Sequence, residues 1–167
     1  MNKNIMLIGI AALVVFGGKK VTDNKDTSAN ETKYRALIAA TEQKNGIPSG
    51  ILHRLIMQES HFRTDIITGA TRSKTGALGI AQFMPSTAKQ ELGSINAALN
   101  PLVAIEGAGR YLAKLYKSTG NWTSAVAAYN WGIGNVQKFK AGTLKKKGRL
   151  ITQMPTETQK YIAAIIV

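Results

Sequence analysis

The apolar positions of this chain fall into two regimes separated by a polar gap. Ahead of the gap an unbroken apolar run extends from Ile5 to Phe16, preceded by Lys3 and closed by Gly17-Gly18 and Lys19-Lys20. Counting those glycines the run is 14 residues; a membrane-spanning helix wants about 20, and runs of about 10–14 are typical of signal-peptide cores. Residues 1–20 therefore read as a signal peptide or a short membrane anchor. No small-x-small site follows Phe16, so the pattern leaves both alternatives open. Residues 21–32 read as a polar linker: from Thr22 to Thr32 the one aliphatic residue is Ala29, and such a segment cannot bury enough surface to order itself.

Beyond the gap the spacing turns helical from about Glu31 and stays so. Tyr34, Leu37, Ile38 and Thr41 share one face, ended near Gly46 and Pro48. Ile51, Leu52, Leu55 and Ile56 predict a second helix over Ser49 to Ser60. A loop rich in Gly, Thr and Ser follows from Arg63 to Gly79, and Pro85 opens a short helix ending near Gly93. Asn100 followed by Pro101 predicts a capped helix start, with Leu102, Ile105, Ala108, Leu112 and Leu115 on its buried face and Gly120 at its end. Thr123 to Tyr129 and Pro155 to about Ile166 complete the set. No apolar alternation of strand type stands out. Residues 33–167 are thus expected to form one all-α domain, or α+β with minimal strand.

Composition narrows the chemistry. At 167 residues and 44% hydrophobic content the chain holds one domain with a modest core. Lys and Arg number 22 against 9 Asp and Glu, a formal charge of +13, which attracts polyanions: nucleic acid, anionic lipid or an acidic wall polymer. With no Cys, a thiolate nucleophile, a disulfide scaffold and a Cys zinc site are excluded. Two His and nine acids argue against a metal cluster, so no metal and no cofactor is expected.

Among the nine acids, Glu59 breaks the pattern. It lies four residues after Leu55 and three after Ile56, which puts its carboxyl on the apolar face at the helix C-terminal end. No Lys or Arg stands three or four residues before it. Burial disfavours the charged form, and the negative end of the helix dipole acts in the same direction. A carboxyl that keeps its proton at neutral pH suits a general acid. An ion pair with a distant Lys or Arg is the alternative at this point.

The residues around Glu59 carry a pattern. Glu59-Ser60-His61-Phe62 is followed by Gly76-Ala77-Leu78-Gly79-Ile80-Ala81-Gln82-Phe83-Met84-Pro85-Ser86-Thr87-Ala88. Later come Ala128-Tyr129-Asn130-Trp131-Gly132 and Pro155-Thr156-Glu157-Thr158-Gln159-Lys160-Tyr161. These four motifs, in this order, resemble the catalytic domain of lytic transglycosylases of the soluble (SLT) type, a lysozyme-like helical fold related to goose-type lysozyme. The resemblance spans roughly Glu31 to Val167. Three departures bear on the groove: extra residues between Arg63 and Thr75, Arg63-Thr64 where the family often has Asn-Pro, and Trp131 where it commonly has Ala.

The resemblance implies cleavage of the β-1,4 bond between N-acetylmuramic acid and N-acetylglucosamine in peptidoglycan, with Glu59 as the single acid/base and a 1,6-anhydro product. It implies substrate-binding roles for Ser60, Gln82, Met84, Tyr129, Asn130 and Glu157. Ser60 is also suited to capping the helix end, Tyr129 to placing its hydroxyl by the acetamido group, and Asn130 to ordering the loop beside Glu59. Gly76 and Gly79 are expected to let the backbone turn tightly and approach the sugar. Glu157 suits a first-turn capping role equally well, and Tyr161, one turn later, suits the groove wall or the core. Asp65, His53 and His61 are read as loop or surface residues. The alternatives are a hydrolytic muramidase, or a catalytically idle wall-binding or virion structural protein. Expected partners are glycan strands, a membrane through the N-terminal segment, and virion or secretion-complex proteins, in an envelope or periplasmic setting. The stretch Lys138 to Arg149 is basic and suits a solvated loop or adhesion to an anionic wall polymer or phospholipid; no nucleic-acid reading motif accompanies it, so nucleic acid is not expected.

Overall fold

A computed structural model describes residues 24–167. The expected signal or anchor, residues 1–20, lies outside the described residues. Helix α1 spans Asn24–Asn45, so most of the expected linker is helix. A helix that is polar all round in its first turns shows no apolar period, and here ties at its surface hold it. Glu31 Oε1 accepts from Arg35 Nη2 at 2.9 Å and lies 3.0 Å from His53 Nε2. The Asn30 side chain donates to Phe62 O at 3.0 Å and to Thr64 Oγ1 at 2.8 Å.

Helix α2 spans Ile51–Ser60 with Leu52, Leu55 and Ile56 fully buried, as the spacing predicts. Its first turn is held from α1. Glu42, 4% exposed, accepts from Leu52 N at 2.8 Å and His53 N at 3.2 Å through Oε1, and from Gly50 N at 2.9 Å through Oε2. These are amide groups that a helix start leaves without intrahelical partners. The long loop carries a short helix, α3 (Thr64–Ile67), whose Ile66 and Ile67 are buried. Helix α4 follows at Pro85–Leu92, then a 3-10 turn at Asn96–Leu99.

Helix α5 (Pro101–Thr119) is the central rod, packed against α1, α4 and α6. Asn100 caps it, accepting from Leu102 N and Val103 N. Gly109 permits the close approach of α1: a Cβ there would lie 2.3 Å from Thr41 Cγ2. Ile105, Ala108, Leu112 and Leu115 are buried as expected. Leu102 is not: it is 56% exposed, because the first turn of α5 overhangs the core and lines a surface groove with Tyr34 and Leu99.

Helix α6 runs Trp122–Trp131, and α7 (Ile133–Lys140) follows after Gly132. A two-residue strand pair, β1 (Lys145–Lys146) and β2 (Arg149–Leu150), leads to α8 (Thr156–Ile165). The architecture is helical with minimal strand, as expected, although α7 and the strand pair were not legible in the pattern. Helix α8 packs on both α2 and α6, which lays the last motif against Glu59. Among the described residues no helix is long and apolar enough to cross a membrane.

Candidate active site

Glu59 sits in the last turn of α2 and is 8% exposed. Its Oε1 accepts a short hydrogen bond from the Tyr161 hydroxyl, delivered by α8. Burial pushes the carboxyl up from 4.5 to about 8; the Tyr161 bond opposes this, and the Glu157 charge adds to it. The acid therefore keeps its proton at neutral pH for the reason the helix spacing suggested, with a second carboxylate within electrostatic reach.

The turn after Glu59 is locked from below. Ser60 is fully buried; its hydroxyl donates to Ile56 O at 3.2 Å and accepts from Phe62 N at 3.3 Å. It serves the helix end rather than an open surface. His61 and Phe62 both take left-handed backbone angles, φ 50° and 55°, an uncommon state for residues with side chains. Phe62 is fully buried as the plug of this turn, and Asn30 holds its carbonyl. His61 is exposed. His53 is not a loop residue: it lies on α2, partly buried, with its ring 5.6 Å from that of Phe62.

The second motif forms a tight loop. Leu78 and Phe83 exchange both backbone hydrogen bonds at 3.0 Å. Gly79 has φ 72°, and a Cβ there would lie 1.8 Å from Ala98 O. The close approach that requires glycine here is to the backbone of the 3-10 turn. Gln82, φ 47° and 5% exposed, donates through Nε2 to Gly79 O at 2.8 Å. Its Oε1 is buried and has no hydrogen-bond partner among the described residues. Leaving such an acceptor unmet costs about 1–3 kcal/mol, which marks a site that a ligand donor can complete. Met84 is half-buried at the start of α4.

Helix α6 supplies the third motif. The Tyr129 hydroxyl donates to Ala81 O at 2.9 Å, so it braces the Gln82 loop. Burial, then the Glu59 and Tyr111 charges, hold that hydroxyl well above its ordinary range. Its ring packs 6.2 Å from Phe83 and 5.5 Å from Tyr111. Asn130 Oδ1 accepts from Thr158 Oγ1 at 2.8 Å, with both residues buried. This tie fastens α6 to α8, on which Glu157 and Tyr161 are carried.

Glu59, Gln82, Tyr129, Asn130 and Glu157 are therefore brought into one region, while Ser60 lies beneath it. Thr158 is an addition from the structure, and Tyr161, the groove-wall or core candidate of the last motif, is the hydrogen-bond partner of Glu59. Tyr161 had a sequence signal, since it stands one turn after Glu157 on the same helix face. Asp65 is engaged elsewhere. Arg63 donates to both of its oxygens, at 3.0 and 2.7 Å. Partial burial raises its carboxyl, but bonds from Arg63 and Thr71 outweigh this and hold it below the usual range. Among the described residues no three His, Cys, Asp or Glu side chains converge to hold a metal ion.

The profile of the transglycosylase SLT domain matches residues 36–152. The chain is 34% identical over 109 residues to the peptidoglycan transglycosylase gp16 of Escherichia phage T7, covering 62% of this chain and 8% of that protein. It is 30% identical over 113 residues to the membrane-bound lytic murein transglycosylase F of Stutzerimonas stutzeri (strain A1501), covering 63% of this chain and 22% of that one. The matches thus span a small part of each relative's length. Among solved structures, an inactive Glu-to-Gln mutant of the lytic transglycosylase Slt from Pseudomonas aeruginosa superposes with a TM-score of 0.63 at 29% identity, over 79% of this chain and 22% of that chain. The 70 kDa soluble lytic transglycosylase of Escherichia coli shares the fold, with a TM-score of 0.58 at 22% identity over the same shares.

Proposed function

Since the chain belongs to the transglycosylase SLT domain family, we propose that it is a peptidoglycan lytic transglycosylase with Glu59 as its single acid/base. The observation that carries the proposal is a buried carboxyl at the end of α2, bonded by the Tyr161 hydroxyl, inside the family's first motif.

In this reading Glu59 gives its proton to the glycosidic oxygen between N-acetylmuramic acid and N-acetylglucosamine as the C1–O bond breaks. The substrate's own N-acetyl group stabilises the positive charge at C1. The Glu59 carboxylate then takes the proton of the muramic C6 hydroxyl as that oxygen bonds to C1. The acid is regenerated, no water is consumed, and a 1,6-anhydro end results. The burial that raises Glu59 favours the first step, and the Tyr161 hydroxyl steadies the carboxylate between the two. Most glycosidases use two carboxylates, and the substrate-assisted ones are exceptions; the engagement of Asp65 by Arg63 is consistent with one here. Gln82 Oε1 accepts an N–H or O–H of the sugar, and Glu157 and Met84 contribute to the groove.

The setting we propose is local opening of the wall for a phage or another envelope-crossing assembly. A phage peptidoglycan transglycosylase and a membrane-bound murein transglycosylase among the relatives support it. Mass analysis of muropeptides released from purified peptidoglycan tests the reaction. Anhydro ends, about one water mass below hydrolysed ends, are expected. Hydrated ends alone make the enzyme a muramidase.

A further inference from the structure

From Gly107 to Thr156 the chain contains no Asp or Glu. Within that stretch the β1–β2 hairpin pairs Lys145 with Leu150 and Lys146 with Arg149. Lys147 and Gly148 turn it with φ 49° and 80°, the double-positive geometry of a type I′ turn. Cross-strand partners share a face of the ribbon. Lys146 and Arg149 therefore stand side by side on one face, and Lys145 and Leu150 on the other. Like charges directly opposite each other weaken a strand pair. All four cations are exposed, and none forms an ion pair among the described residues. The base of the hairpin is fixed, with Ile151 N donating to Leu144 O at 2.8 Å and Thr143 N to Lys138 O at 2.9 Å. A rigid stem thus presents an uncompensated cationic tip.

The apolar member decides what that tip fits. Leu150 is 50% exposed and shares its face with Lys145. A soluble polyanion would meet the cations and leave Leu150 in water. A bilayer surface meets both: phosphates face the cations, and the leucine enters the boundary between headgroups and acyl chains. From this juxtaposition we infer that the hairpin docks the domain on an anionic phospholipid surface. Polybasic elements bind reversibly, and stable attachment takes a second signal. On sequence grounds, the Lys-flanked apolar run Ile5 to Phe16 is suited to that part.

The test is co-sedimentation of the full chain with vesicles of phosphatidylcholine alone and of phosphatidylcholine with about 30% phosphatidylglycerol. Comparing the two isolates the anionic increment from any contribution of the apolar run. Each cation near an anionic leaflet contributes about fivefold to partitioning. The variant K145Q/K146Q/K147Q/R149Q is expected to lose about 100-fold or more of the increment, while K145R/K146R/K147R keeps it. Added salt is expected to weaken the wild-type increment. Leu150→Ser is expected to lower vesicle binding a few-fold and to leave binding to soluble polyphosphate unchanged. Retention of the full increment by the glutamine variant, or its absence in the wild type, overturns the inference. Binding to polyphosphate as tight as to vesicles, with no effect of Leu150→Ser on either, replaces the lipid with a soluble phosphate polymer and also overturns it.

Discussion

Two buried carboxylates bracket helix α2, and they are treated in opposite ways. Glu42, 4% exposed, meets the N-terminal end, where three backbone amides donate to it. Glu59, 8% exposed, occupies the C-terminal end, where the dipole opposes charge, one tyrosine hydroxyl donates, and a second carboxylate adds repulsion. Burial is nearly the same at both ends. The partners set the two apart: three amides make Glu42 a structural cap, while one hydroxyl and a neighbouring carboxylate leave Glu59 suited to hold a proton.

Substitution at the two ends should separate these roles. The largest effect is expected at Glu59: Glu59→Gln should lower cleavage by about 10²–10⁴-fold, because the amide has no proton to give. The same variant should be more stable at neutral pH. Folded Glu59 keeps its proton to about pH 8, whereas an unfolded Glu releases it from about 4.5. Between those values the folded state binds more protons, so stability falls as pH rises through that window. Glu59→Gln removes this slope, with a gain on the order of 1–3 kcal/mol at pH 7–8 that vanishes by about pH 4. Chemical denaturation at several pH values measures it, and an unchanged slope would show that Glu59 is not the acid responsible.

Glu42→Ala should do the reverse. It strands three amide donors at the head of α2 and should cost about 3–4 kcal/mol, lowering Tm by roughly 10 °C or more. A melting curve that matches wild type would remove the distinction between the two ends.

Smaller changes tune Glu59 without removing it. Tyr161→Phe deletes the bond that favours the carboxylate, so the alkaline limb of the pH–rate profile should move up, by less than about one unit. Glu157→Gln deletes the charge that favours the protonated form, so the limb should move down by a similar or smaller amount. Shifts of the same sign in both variants would contradict the assigned electrostatics.

The site was largely legible because its motifs lie in short windows whose spacing fixes a helix face. Glu59 follows Leu55 and Ile56 by one turn, and that alone placed its carboxyl against the core. The same logic did not single out Glu42, whose role depends on amides eight to eleven residues away that fold back beneath it. The contact between Tyr161 and Glu59 joins residues 102 positions apart and becomes visible only once α8 lies on α2. The start of α1 was hidden because its first turns bury little. The hairpin was hidden for a different reason: its strands are two residues long, and its turn uses Lys147 in a left-handed conformation that Asn or Gly more often supplies. The tight turn expected at Gly79 is present, and its packing against Ala98 O, which lies 19 residues on, is visible only in the fold.

The central claim is that burial at the end of α2 keeps Glu59 protonated through neutrality. Following the Glu59 side-chain carboxyl by ¹³C NMR across a pH titration, with Glu59→Gln to assign the signal, tests it most directly. A midpoint at about 8 is the expected result. A midpoint in the ordinary carboxylate range, about 4 to 5, would contradict it.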